Sequence, residues 1–267
     1  AATSIGSSNG SFRNVRLYEK PTIEITASDP AAGELASEPG AFIITRTGPT
    51  VAPLEVDITL TDTATNGIDY QMIASKVTIP TGAADVVVPV LPLADTLAEG
   101  TETVTCSISP SPAYNNGAGA TAAVQLADMP FDAWRVQHFS AAERLQPEVS
   151  GQFADPDRDG IPNLQEYGLL LAPKIPDAAL LSLPALKPVG SPDHLEISFR
   201  RRKAPTDVQY LVEVASDPAV ETWDSGIEFT VIVSTTDLGD GTEQVVVRDL
   251  STISPEAQRF IRIRITR

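Results

Sequence analysis

Cysteine is all but missing from this chain: Cys106 is the only one in 267 residues, so no internal disulfide can staple the fold. Its setting, the alternating run "TETVTCSISP", predicts a small buried side chain in a strand, with no histidine or acid beside it to activate the thiol. Histidine is equally scarce. His138 and His194 are the only two, and neither falls in a nucleophile or metal-ligand spacing, so the expectation is that the protein is not an enzyme. Basic residues are outnumbered, 19 Lys and Arg against 35 Asp and Glu, and the formal net charge of -16 repels nucleic acid and anionic lipid while concentrating cations. Apolar runs never approach the roughly 18 to 20 residues of a membrane span. The chain begins at Ala1 without a basic-then-apolar leader, so any secretion signal is expected to have been removed and the protein to work outside the cell.

Aromatic residues make up only 6% of the chain, while proline reaches 22 and apolar residues 42%, a mixture suited to short strands joined by many turns. From Pro21 to Asp128 the apolar positions alternate with period two in "TIEITA", "AFIITRTG", "LEVDITLTD", "KVTIP", "ADVVVPVLPL", "ETVTCSIS" and "ATAAVQLAD". Breakers such as "GPTVAP", "TNG" and "YNNGAG" separate these runs by too few residues for crossover helices, so antiparallel sheets in a β-sandwich are predicted. A second set of alternating segments, "HLEISFRRR", "VQYLVEVASD", "IEFTVIVST", "EQVVVRDL" and "RFIRIRIT", predicts another antiparallel sandwich, with Trp223 buried in it and Arg262, Arg264 and Arg267 alternating along a solvated strand face.

The stretch "DPDRDGIPNLQEY", residues 155 to 167, is the most specific feature. Asp155, Asp157 and Asp159 stand at positions 1, 3 and 5, Gly160 at 6 and Glu166 at 12, matching the spacing of a calcium loop. A hard dication takes about six to eight oxygens at about 2.3 to 2.6 Å, and a tight loop supplies them from alternate residues plus one bidentate carboxylate. Side-chain oxygens of Asp155, Asp157 and Asp159, the backbone carbonyl of Ile161, Asn163 directly or through water, and both Glu166 oxygens make up the expected set. Without a cation, four acids this close repel one another. Before the loop, "FDAWRVQHF" places Trp134, His138 and Phe139 at helical offsets, with Asp132 as the expected N-cap; after it, Pro162 and Leu164 open a helix ending near Gly168. Helix, loop, helix is the EF-hand arrangement. Pro162 lacks the N–H through which paired EF-hand loops bond to each other, so this loop is expected to act alone.

Several segments resemble known families. "GAFIITRTG", "TDTATNGIDY" and "KVTIPTGAADVVVPVLPLADTLAEGTETV", followed by a last strand ending in "LAD", together resemble a Calx-beta domain over about residues 21 to 129. The resemblance implies an immunoglobulin-like sandwich and a second calcium site at one end, with Glu38 as the early acid, Asp95 and Glu99 as loop acids and Asp128 as the first terminal acid. Met129 and Pro130 stand where further acids of that terminal cluster would follow, and Thr61 replaces another acid. The 155–166 loop is similar to the single loops of dockerins and thrombospondin type 3 repeats, which implies an extracellular setting. The pattern "W…HF", "DPDRDGIPNLQEY", "FRRRKAP", "VQYLVEVASDP" looks like the end of large secreted proteins of Planctomycetes and Verrucomicrobia-type bacteria.

The resulting expectation is a mostly β chain of two antiparallel immunoglobulin-like sandwiches joined by a short helical, EF-hand-like insert. Its parts are an N-terminal arm (1–20), a Calx-beta-like sandwich (21–129), the insert (130–171), a Pro-rich strap (172–194) and a C-terminal sandwich (195–267). The expected role is a secreted or cell-surface calcium-binding structural or adhesion protein, calcium stiffening the connector and the arm adding a strand to other copies or surface proteins. The alternative is a polysaccharide-binding accessory region of a larger secreted enzyme, which calls for Trp223 exposed beside Tyr210 or Phe229 on one sheet face.

Overall fold

The computed structural model describes residues 19–181, 184–188, 193–253 and 258–267. The N-terminal arm therefore lies almost entirely outside the described residues. Strand is the dominant secondary structure, and the chain divides into two compact units, one built from residues up to 96 together with 100–128, the other from 97–99 and 129–267.

In the first unit the alternating runs become β1 (Thr22–Asp29), β2 (Ala31–Gly33), β3 (Gly40–Thr47), β4 (Leu54–Thr61), β5 (Lys76–Ile79), β6 (Asp85–Val90), β7 (Glu102–Ile108), β8 (Asn115–Asn116) and β9 (Thr121–Ala127). They form a four-stranded sheet, β6-β3-β1-β8, and a five-stranded one, β2-β9-β7-β4-β5. Period two puts Ile23, Ile25, Phe42 and Ile44 of the first sheet against Val56, Val104, Cys106 and Val124 of the second in one core. Cys106 is fully buried there, and burial pushes its thiol up to about 11. Two edge pairings, β1 with β8 and β2 with β9, are parallel, so the all-antiparallel expectation needs correction. For β2 the reason lies at β1's end: a bulge between Ala27 and Asp29 is followed by Pro30, which has no N–H for a ladder, and the chain leaves one sheet for the edge of the other.

The second unit holds the helices α1 (Pro130–His138), α2 (Ala141–Arg144), α3 (Pro147–Ser150) and α4 (Asn163–Leu169). It also holds strands β10 (Ala185–Pro188), β11 (Asp193–Arg202), β12 (Gln209–Ala215), β13 (Asp224–Ser225), β14 (Thr230–Asp237), β15 (Thr242–Ile253) and β16 (Phe260–Thr266). Sheets β10-β11-β15-β14 and β13-β12-β16 enclose Ile197, Phe199, Val245, Val247, Val214 and Ile261. A separate cluster of Phe131, Trp134, Phe139, Leu164 and Tyr167 packs the helices on Val208 and Ile265 of this same unit. At Gly168 the approach is close: an added Cβ would come within 2.6 Å of Ile265, and Tyr210 donates its hydroxyl to the Gly168 carbonyl at 2.7 Å.

Three local expectations differ from the structure. Met129, not Asp132, stands at the N-cap of α1; Asp132 lies fully buried in the first turn, paired with the guanidiniums of Arg135 and Arg267, while the Phe131 N–H donates to Asp207 Oδ2 at 2.9 Å. Arg267 accordingly lies inward, also 3.2 Å from Asp207, instead of on a solvated strand face. Trp223 is only half-buried and carries the Arg262 guanidinium 4.0 Å above its ring, an amphipathic stack in place of a core position.

Candidate metal centre

The loop 155–166 is built by its own short-range hydrogen bonds. Asp155 accepts from Arg158 and Gly160 N–H at 2.8 and 3.0 Å, Asp157 from Asp159 at 3.1 Å, and Asp159 from Ile161 at 2.9 Å. Each aspartate thus turns the backbone back on itself and points its carboxylate inward. Gly160 has φ +93° with open space at its Cβ position, so glycine is required by backbone conformation and not by crowding. At the far end Asn163 donates both amide hydrogens, to Val149 and Gly151 carbonyls at 3.0 and 2.9 Å, which orients its Oδ1 oppositely. Pro162, without an N–H, stands at the N-cap of α4, and Glu166 rides the first turn of that helix.

Asp155, Asp157 and Asp159 bring ligand oxygens within 4.8 Å of one another, and so do Asp159, Glu166 and Asp177. Glu166 and Asn163 are both 0% exposed. Five buried oxygens here lack a hydrogen-bond partner: Oδ2 of Asp157, Oδ1 of Asn163, both Oε of Glu166 and Oδ1 of Asp177. Such orphans cost on the order of 1 to 3 kcal/mol each, more when charged, and a site that gathers five is made for something that accepts electron pairs. Burial, followed by the charges of Asp157, Asp159, Asp177 and Asp155, pushes Glu166 up to about 8. Asp157 is also raised, by burial first. Asp159 is lowered despite its burial, because the N–H groups of Ile161, Asp177 and Ala178 hold its anion.

An all-oxygen, carboxylate-rich donor set with no imidazole or thiol fits a hard cation such as calcium and does not fit zinc or copper. Of the six expected residues, Asp155, Asp157, Asp159 and Glu166 have oxygens in the two groups of acids, Asn163 has a buried Oδ1 without a partner, and Ile161 contributes its N–H to Asp159 and buries its side chain. Asp177 is the member that sequence reasoning missed. It lies beyond the twelve-residue pattern, and its "IPDAAL" context has no ligand spacing of its own.

The four acids of the implied second site behave differently. Glu38, Asp95 and Glu99 are exposed, whereas Asp128 is buried and accepts from the Gly100 N–H at 2.7 Å. Glu34, Asp69 and Glu102 are the other buried acids of the first unit; Asp69 accepts from Thr65 N–H, and Asp69 and Glu102 have oxygens within 4.8 Å. Glu102 was legible as an inward position in phase with Val104 and Cys106 of β7.

The fold and site together define a mostly β protein with a carboxylate-lined, calcium-type loop. No family model matches the chain, and no curated protein matches it. Solved structures do. A crystal structure of CBD12 from CALX1.2 aligns over 92% of this chain and 82% of its own at 12% identity and a TM-score of 0.38. The apo-form Calx CBD1 domain covers 41% of this chain and 98% of its own at 16% identity and a TM-score of 0.35. The D00-D0 domain of intimin covers 48% and 63% at 13% identity and a TM-score of 0.27. At such scores nothing about function transfers, and the site rests on its own geometry.

Proposed function

We propose that loop 155–166 binds one calcium ion as a permanent structural part of a secreted or cell-surface protein. The protein then acts by presentation, adhesion or assembly and not by catalysis. The carrying observation is Glu166, fully buried in an acidic surround with neither carboxylate oxygen partnered. When bound, the ion supplies two positive charges that cancel the repulsion among the loop acids. The chain's part is to hold the oxygens in place beforehand: Asx turns set the three aspartates, Val149 and Gly151 carbonyls orient Asn163, and α4 presents Glu166. Because the helices pack within the second unit, the stiffening belongs to that unit and not to a free connector. Extracellular modules of this kind bind calcium at about 10⁻⁴ to 10⁻³ M, in keeping with a constitutive ion. Partners in this reading are surface proteins or further copies of the chain.

A polysaccharide-binding role finds less support. Tyr210 and Phe229 are partly buried against the second sandwich core, and the Arg262 guanidinium stacks 4.0 Å from the Trp223 ring. Calorimetric titration of the wild type against Glu166→Gln with Asp157→Ala tests the calcium reading. One site lost in the double variant supports it, and a wild type that takes up no calcium sinks it.

A further inference from the structure

Asp177 lies eleven residues past Glu166, in the segment 172–181 that leads away from the helices and contains a 3-10 turn, Ala178–Leu180. The loop and this segment are joined at two levels. Asp159 Oδ2 accepts the backbone N–H groups of Asp177 and Ala178 at 2.9 and 2.7 Å, which seats the start of the turn on the loop. Asp177 in turn uses Oδ2 to accept the Ala172 N–H at 3.1 Å and leaves Oδ1 buried and unpartnered, and a carboxylate oxygen of Asp177 lies within 4.8 Å of oxygens of Asp159 and Glu166. The buried Oδ1 serves no hydrogen bond of the fold, and carboxylates gathered this closely repel one another.

We propose that Asp177 is a ligand to the same cation, supplied from outside the loop, and that the ion thereby fastens segment 172–181 to loop 155–166. This rests on the calcium reading above. Charge makes the coupling two-way. With the ion in place, Asp177 is attracted to the site and the turn at Ala178–Leu180 is held; with the ion gone, Asp177 faces Asp159 as a like charge, and the segment is held more weakly. Beyond Pro173, which is buried, the segment's other attachments are exposed. Ile175 and Leu180 are 62% and 74% exposed, and Lys174 reaches Glu143 at 2.8 Å and the Phe139 ring across solvent-accessible surface. A segment held by so little apolar burial opens locally unless something else ties it down. A fifth carboxylate also favours a large cation of high coordination number over magnesium, which demands a strict octahedron and keeps its waters.

The test uses the full chain and calcium itself, with amide hydrogen exchange read separately over residues 155–166 and 172–181, and calorimetry alongside. In the wild type, calcium is expected to slow exchange in both segments. In Asp177→Ala the affinity is expected to fall on the order of tenfold to a hundredfold, by analogy with losses of groups that support a metal. Residues 155–166 remain calcium-protected in that variant, and 172–181 no longer respond. Asp177→Asn, which keeps the side-chain shape, is expected to lie between the two and guards against a variant that merely misfolds. Lys174→Ala, which removes the surface pair with Glu143 and the contact with the Phe139 ring, is expected to leave the calcium response intact. Wild-type binding with exchange in 172–181 indifferent to calcium, or an Asp177→Ala affinity equal to wild type, overturns this inference and leaves the loop site standing. Absence of any calcium binding by the wild type overturns both.

Discussion

Each unit buries a group of acids, and the two groups handle their charge in different ways. In the first unit Asp69 and Asp128 accept backbone N–H groups from Thr65 and Gly100, so at least part of each carboxylate is committed to holding a loop. In the second unit Asp157, Asn163, Glu166 and Asp177 keep buried oxygens that no donor reaches. Proximity of acids is thus a poor sign of a cation by itself. Convergent oxygens left without donors are a better one, because folding has no other reason to tolerate them.

Glu166 offers the largest effect with which to break this contrast. At calcium near a hundred times its dissociation constant, binding to the folded state alone stabilises by about 2.7 kcal/mol. For a unit of this size that corresponds to roughly 5 to 10 °C in the unfolding midpoint. Chelation should remove that increment from the wild type, and Glu166→Gln should have lost it already; differential scanning calorimetry with and without calcium reads both. A chelator-insensitive wild type would place the loop with the first unit's acids, as a cluster that needs no ion.

Proton linkage comes next in size. Glu166 is raised from an ordinary carboxylate value to about 8 in the folded, ion-free state. Between the unfolded value near 4.5 and about 8 the folded protein therefore holds a proton that the unfolded chain releases, and ion-free stability falls as pH rises through that window. Calcium must displace this proton, so its affinity should strengthen with pH over the same range, and titrations near pH 7 in buffers of different ionisation enthalpy should reveal proton release. Affinity flat between pH 5 and 8 would contradict the buried carboxylate as ligand.

Stoichiometry sharpens the comparison further. One calcium per chain is the expected count, with Glu38→Ala and Asp95→Ala leaving the titration unchanged, as their exposure suggests. A second site abolished by Asp69→Asn with Glu102→Gln would show that the first unit also holds a cation. The smallest effect belongs to Cys106. Buried, with its thiol pushed up to about 11, it should resist a thiol reagent at pH 8 in the folded protein and react once denaturant is added, with calcium making little difference.

Much of the first sandwich was legible because period two is a local property: Ile23 and Ile25, Phe42 and Ile44, Val104 and Cys106 each alternate along one strand, and strand geometry sends them to one face. The parallel edge pairs were not, since β1 and β8 lie far apart in sequence and nothing local marks their direction. Aromatic and charged side chains misled in a consistent way. Trp223 and Arg267 look like core and surface by composition, yet Trp223 takes a cation on its face and Arg267 pairs with Asp132 and Asp207 from inside.

By itself the sequence determined the twelve-residue loop, because the acids from Asp155 to Glu166 sit on one short stretch whose turns are set by its own aspartates and Gly160. Tertiary structure alone decided that Asp177 joins them, that Asn163 turns its oxygen inward, and that the helices pack on the second sandwich through Val208 and Ile265. Those outcomes depend on which distant backbone groups claim a side chain's other atoms, and such claims are settled only when the chain is folded.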